Sequence, residues 1–166
     1  MSSPGLGLNT TLLSCVYIAA ISAANLLVTE FGPWFSVVNS FILIGLDLTL
    51  RDNLHERVGV CNVIALSLIA GAVSFAINPA SAHVSLASSL SFVLANVADT
   101  AVYHTLRTKA WFVKANASNV FGALVDSIAF PLLAFGVVMP TVSAAQFAAK
   151  VLGAALWSLP LARSRA

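Results

Sequence analysis

Four ionisable side chains stand inside long apolar runs of this chain: Asp47, Asp99, Asp126 and Lys150. In hydrocarbon such a group costs about 2.5–3.5 kcal/mol on insertion scales, so each one marks a function by default. Carboxylates and an ammonium at membrane depth can hold a polar ligand, carry a proton or neutralise one another. Asp47 is one turn before Arg51 and can pair with it at i,i+4 near a helix end. Asp99 shares a helical face with Asn96 and Tyr103, and Asp126 shares one with Asn119, Gly122 and Phe130. Lys150 stands on a face with Gln146, Gly153 and Trp157. At about 1.5 Å per residue, Asp126 lies roughly 18 Å along its helix from Lys114, and Lys150 is at a similar depth before Arg163. The two therefore sit near the membrane midplane on consecutive helices. They form a buried ion pair that sets packing, part of a polar cavity, or both. Asn25 and Asn39 add amides that serve as interhelical hydrogen-bonding groups or as ligand groups.

The elements that position these residues follow from composition. Of 166 residues, 59% are hydrophobic and only 8% charged, with 8 Lys or Arg against 6 Asp or Glu. Soluble domains are about 25% charged. Mean hydropathy is +0.94. These values exclude a soluble enzyme and a disordered chain. A net charge of +2 is too small to grip a nucleic-acid backbone. An integral membrane protein remains, and the length suits about six helices of roughly 20 residues. Breaks at charges, Pro and Asn predict spans at about 10–28, 34–50, 60–77, 84–103, 118–138 and 141–161, in a single domain. The runs lack the alternation of barrel strands.

Orientation follows from the basic residues. Arg51 and Arg57 lie after the second span, Arg107, Lys109 and Lys114 after the fourth, and Arg163 and Arg165 after the sixth. All seven fall on one side, which predicts cytoplasmic termini. Trp34 and Trp157 are candidate interface anchors. Gly71, Ala95, Gly122 and Gly153 are candidate close-contact points between helices. Arg51-Asp52-Asn53-Leu54-His55-Glu56-Arg57 packs five formal charges into seven residues. It reads as a cytoplasmic loop, either a solvated turn or a gate latch or docking site. Cys15 and Cys61 pack as small hydrophobes. No P-loop, hydrolase motif or metal-spaced His pair occurs, so no enzyme, cofactor or metal is expected.

Several strings then carry a family resemblance: AANLLVTEFGP from residue 23, NSFILIGLDLTLRDNLHERVG from 39, SFVLANVADTAVYHTLR from 91 and KANASNVFGALVDSIAFPLLAFG from 114. In order and spacing over about residues 23–136, they resemble the queuosine-precursor transporter family, also called VUT for vitamin-uptake-like transport. The matching positions are Asn25, Asp52, Glu56, Gly59, Asp99, Tyr103, Lys114, Asn116, Ser118, Asp126 and Phe130. Two departures stand out. Gly122-Ala123 replace a common Ser-Gln, and Lys114 stands where Arg is common, losing bidentate geometry. Asn119 or Gln146 are candidates to replace the missing Gln.

The resemblance implies a six-helix bundle similar to the substrate-binding subunits of vitamin transporters. It implies import of a 7-deazaguanine, such as 7-cyano-7-deazaguanine, across a bacterial-type inner membrane. A carboxylate suits the N1–H and exocyclic amine of a guanine-like edge, an amide suits its O6, and an aromatic ring stacks on the base. The expected substrate set is Asp126 and Asp99 first, with Asn25, Asn96, Tyr103, Asn119, Lys150 and Trp157. Asp52 and Glu56, with Lys114, Asp47 and Arg51, are expected at a cytoplasmic gate. Rival readings are a vitamin-binding subunit driven by a separate ATPase motor and a structural membrane protein. Homodimerisation is a further partner expectation, and no nucleic-acid partner is expected.

Overall fold

The computed structural model describes residues 9–109 and 111–163; the side chains of Asp52, Glu56, Tyr103 and Lys114 lie outside the described residues. Among the described residues the chain forms helices joined by short turns. Helix α1 spans Thr10–Phe31, α2 Phe35–Asn39, α3 Gly45–Val58, α4 Val60–Ile77, α5 Ala82–Thr105, α6 Trp111–Phe135 and α7 Pro140–Arg163. A π-helical turn, Ser40–Ile44, joins α2 to α3 with helical backbone angles at both junctions, so residues 35–58 make one rod. The result is six rods.

Local chemistry sets the ends. The Asn9 side chain accepts from the Thr11 N–H to open α1, as an N-cap should. Asn78 does the same for Ala80 at the Pro79–Ser81 turn before α5. Pro140 opens α7, where its missing N–H costs nothing.

The second rod corrects one expectation. Its helix does not stop near residue 50 but runs to Val58, and only Gly59 separates it from α4. Gly59 adopts φ +81°, a conformation that disfavours a side chain. The charged stretch read as a loop is therefore the last two turns of α3. Its inward face accounts for this. Asp47, Leu50, Arg51 and Leu54 recur at helical spacing and are all buried. A charged boundary was expected where a helix continues that is buried on nearly every side, Leu48, Thr49 and Asn53 included.

Among the described residues, four helices are long and apolar enough to cross a membrane: Thr10–Phe31, Val60–Ile77, Pro79–Val102 and Ala117–Phe135. The other two rods carry much of the buried polar inventory, including Asp47, Arg51, Asn53, Gln146 and Lys150. Polarity runs inward across the bundle. Leu68, Phe75, Leu94, Phe121, Ile128 and Leu152 are exposed, whereas many Ser, Asn and charged side chains are buried. That is the distribution expected of a protein solvated by lipid.

Helix α1 packs against α4, α5 and the second rod, while α7 lies against that rod and α6. An apolar core of Leu13, Tyr17, Ile21, Leu50, Leu54, Val63 and Ala70 fills one end of the bundle. Small residues stand at the crossings, as their type suggests. Gly71 faces Ser89, Gly122 faces the Ala95 carbonyl and Asp99, and Gly153 faces Phe41.

Candidate functional site

The structure brings Asp126 and Lys150 into direct contact, with Lys150 Nζ 2.7 Å from Asp126 Oδ2. Lys150 is buried in the protein, whereas Asp126 is partly open. The ammonium also donates to Ser127 Oγ at 3.2 Å and to Gln146 Oε1 at 3.4 Å. Ser91 donates to the second carboxylate oxygen of Asp126. Gln146 Nε2 donates to Ser36 Oγ at 2.6 Å. One polar chain thus links α2, α7, α6 and α5. Every ammonium N–H has an acceptor, which a charge buried away from water requires.

This chain forms one wall of a partly open cavity. Asn25, Ser36, Asn39, Ser40, Ser88 and Phe130 contribute to the rest of the lining. Asn25 donates to Ser74 Oγ at 3.3 Å and Asn39 to the Ala24 carbonyl at 3.0 Å. Phe130 is braced edge-on by Phe135, with ring centroids 6.1 Å apart. Each helix contributes from the half nearer the turns at 32–34, 78–81 and 136–139. Those turns carry no Lys or Arg.

A second polar layer lies further along the same helices, toward the other end. Arg51 is buried, donates to Asn119 Oδ1 at 3.1 Å and lies 5.9 Å over the Phe92 ring. Tyr17 meets Phe92 edge-on and lies within electrostatic reach of Asp47 and Arg51. Asn119 is seven residues before Asp126, and Arg51 is seven after Ile44 of the cavity wall. Both spacings put this layer about 10 Å below the cavity. Apolar packing around Leu13 and Leu54 adjoins it.

The expected site residues therefore separate. Asp126, Lys150 and Asn25 line the cavity. Asp47, Arg51 and Asn119 belong to the second layer. Asp99 lies against Gly122 between α5 and α6, with Oδ1 buried and accepting no hydrogen bond. Asn96 donates to the Phe92 carbonyl of its own helix at 2.8 Å. Trp157 Nε1 donates to the Ile42 carbonyl of the π turn at 3.1 Å, away from the cavity.

Several residues of the cavity and its polar chain had no role in the sequence reading. Gln146 was on the Lys150 face and a candidate for the missing Gln, and it lines the cavity. Phe130 was also on the Asp126 face, yet stacking was sought from Tyr103 and Trp157. Ser36, Ser40, Ser88 and Ser91 carry no distinguishing signal in a serine-rich membrane chain.

The site can hold a small polar ligand through amides, hydroxyls and an ion pair, with one aromatic face. Among the described residues no group of His, Cys, Asp and Glu is placed to hold a metal ion. No curated protein and no solved structure matches this chain. A family model described as "putative vitamin uptake transporter" matches residues 7–163, which is nearly the whole length. That family is one of transporters, not of enzymes. The chain belongs to the vitamin uptake transporter family.

Proposed function

We propose that the protein imports a 7-deazaguanine precursor of queuosine, such as 7-cyano-7-deazaguanine, through the cavity between α1, α2, α5, α6 and α7. The observation that carries this reading is the composition of the cavity wall: an ion-paired carboxylate and ammonium, three amides and one aromatic ring. Asp126 has lone pairs beyond those used by Ser91 and Lys150, since a carboxylate offers about four acceptor sites. These accept the N1–H and exocyclic amine of the base edge. Lys150 or an amide N–H serves O6, and Phe130 stacks on the ring. The resemblance of the ordered motifs to queuosine-precursor transporters supplies the substrate class.

The cavity faces the end whose turns lack basic residues, so by the positive-inside argument it opens outward with both termini cytoplasmic. In an inner membrane this is a state awaiting substrate from outside. The second layer around Arg51 and Asn119 closes the inner side.

The test is rescue of bacteria that neither make nor import the precursor but keep the downstream enzymes. The cells express this chain and receive nanomolar 7-cyano-7-deazaguanine, and queuosine in transfer RNA is scored. Rescue is the expected result, and no rescue by well-inserted protein overturns the substrate. Phe130→Ala is expected to raise the half-saturating concentration about 5- to 150-fold at unchanged protein level. Base–aromatic stacking is worth about 1–3 kcal/mol, and about 1.4 kcal/mol is tenfold.

The family description favours a second reading, a vitamin-binding subunit that docks an ATPase motor. Co-purification with such a motor, and rescue that depends on it, would distinguish the two.

A further inference from the structure

We propose that α3 is the moving arm of the transport cycle, hinged at the π turn, and that it swings Arg51 off Asn119 and Phe92 while α2 keeps its place on the cavity. The inference rests on the second layer closing one side of a transporter, and not on which compound is carried.

The rod of residues 35–58 divides at that turn. Ser36, Asn39, Ser40 and Ile44 line the cavity, whereas Asp47 and Arg51 belong to the second layer. The α2 half is tied to the cavity walls, since Asn39 donates to the Ala24 carbonyl and Gln146 donates to Ser36 Oγ. The turn between the halves has shared bonds at both ends. The Gly45 N–H faces two carbonyls, Ser40 five residues back and Ile42 three back. The Ser40 N–H faces those of Ser36, Val37 and Val38. A rod can bend there by trading one acceptor for another, and π-bulges are among the few causes of sharp bends in helices. They recur at functional sites.

The far end of α3 has a joint as well. Only Gly59 separates α3 from α4, at φ +81° and with open space where a Cβ would stand. A helix of 14 residues therefore lies between two flexible points. Helix α7 braces the turn itself, through Gly153 against the Phe41 carbonyl and the Trp157 indole on Ile42. Arg51 latches the arm to α6 through Asn119 at 3.1 Å. The latched layer is not fully satisfied. The Tyr17 hydroxyl is wholly buried within it and has no hydrogen-bond partner. A buried donor without a partner is a cost, and water admitted by a parted layer removes it.

The experiment measures spin-label distances on the full chain in lipid nanodiscs, with the exposed Cys15 and Cys61 replaced by Ser. One pair, His55→Cys with Thr108→Cys, uses exposed positions at the far end of α3 and in the turn after α5. The other, Val38→Cys with Val138→Cys, reports on the α2 end from exposed positions. Arg51→Gln, without any ligand, is expected to add a population in which the first distance is displaced by about 5 Å, the scale of one helical turn. The second distance is expected to stay as in wild type. Saturating 7-cyano-7-deazaguanine is expected to produce the same population in the wild-type background. Deleting Ile42 leaves an ordinary α-helical turn and is expected to suppress the displacement. Movement of both pairs together, or of neither in Arg51→Gln, overturns the hinge. So does a displacement of the first pair that survives the deletion. A displacement in Arg51→Gln that the compound does not reproduce leaves the hinge standing and overturns the deazapurine reading. Asn119→Ala removes the same latch from α6 and replaces Arg51→Gln if that variant does not fold. The comparison of the two pairs is decisive even if the deletion variant does not fold.

Discussion

Asp126→Asn and Lys150→Met are each expected to destabilise the protein strongly, and the double variant is expected to restore folding without restoring transport. Either single change leaves one charge of a 2.7 Å pair in a wall without another charged partner among the described lining residues. Breaking a buried pair costs about 3–5 kcal/mol. The two losses should be unequal. Lys150 is 3% exposed and Asp126 22%, so water reaches an abandoned carboxylate better than an abandoned ammonium. Asp126→Asn should therefore be the worse single change. Replacing both removes the charges together, and neutral replacement of buried pairs is often harmless. The double variant should lie within about 1 kcal/mol of wild type, giving a coupling energy of several kcal/mol in the cycle. Thermal unfolding in detergent and monodispersity measure the stability arm. Uptake per folded molecule measures the other. Wild-type uptake by the double variant would show the pair to be packing alone and remove it from the substrate path.

How far the sequence anticipated this arrangement depends on the kind of signal involved. The Asp126–Lys150 pair was legible because hydrocarbon leaves few innocent positions for charge, and depth along two consecutive helices could be counted. Four of the six rods were legible as apolar runs of membrane length; the other two carry more polar residues and were marked off only by Pro, Asn and charge. Arg51 was not legible as a buried residue. Five charges in seven positions resemble a solvated turn, and only the inward recurrence of Asp47, Leu50, Arg51 and Leu54 shows that the helix continues. Asp99 and Asp126 were indistinguishable by composition, since both share faces with an Asn and an aromatic residue. What separates them is the partner. Lys150 on α7 reaches Asp126, while Gly122 on α6 brings backbone against Asp99. Such contacts depend on helix rotation, which no single run reveals. The π turn was also hidden, because Ser40–Ile44 has an ordinary apolar pattern.

The two polar layers act on different sides of one problem. In the proposed function the cavity exchanges hydrogen bonds with a ligand, and its long Lys150 contacts at 3.2–3.4 Å suit exchange. The second layer joins α3 to α6 through Arg51 and Asn119, with Tyr17 and Phe92 packed beside them. A guanidinium buried over an aromatic face gains cation–π as well as hydrogen-bond stabilisation. On the proposed import route a ligand passes this second layer, so transport would exchange those contacts for others. The helices that line the cavity continue into it, and a shift of one wall therefore reaches both layers.

Gly153→Ala is expected to be the most damaging single methyl group that can be added to this bundle. A Cβ at Gly153 would overlap the Phe41 carbonyl oxygen and lie 3.0 Å from its carbon, and one at Gly45 would come within 2.7 Å of Gly153 itself. Backbone stands on both sides of the crossing, so no side-chain rotation relieves the clash and α7 must move off the π turn. That movement would break the Trp157 bond to Ile42 and pull Gln146 from Ser36, opening the cavity wall. Overpacking costs about 1–3 kcal/mol in cores and occasionally more; with backbone opposing it, about 3 kcal/mol or more is expected here. Gly71→Ala is the internal comparison. Its Cβ would meet a serine hydroxyl at 3.0 Å, which can turn away, so a loss below about 1 kcal/mol is expected. Gly122→Ala should be as mild, since its Cβ would stand 3.4 Å from the Ala95 carbonyl, an ordinary contact. Folded yield and unfolding temperature of the three variants measure the order. If Gly153→Ala matched Gly71→Ala, close approach of α7 to the π turn would not be what holds the cavity wall. If the predicted order holds, the small residues of α7 do more than ease packing: they let a main-chain carbonyl and an indole set the position of Gln146 and Lys150.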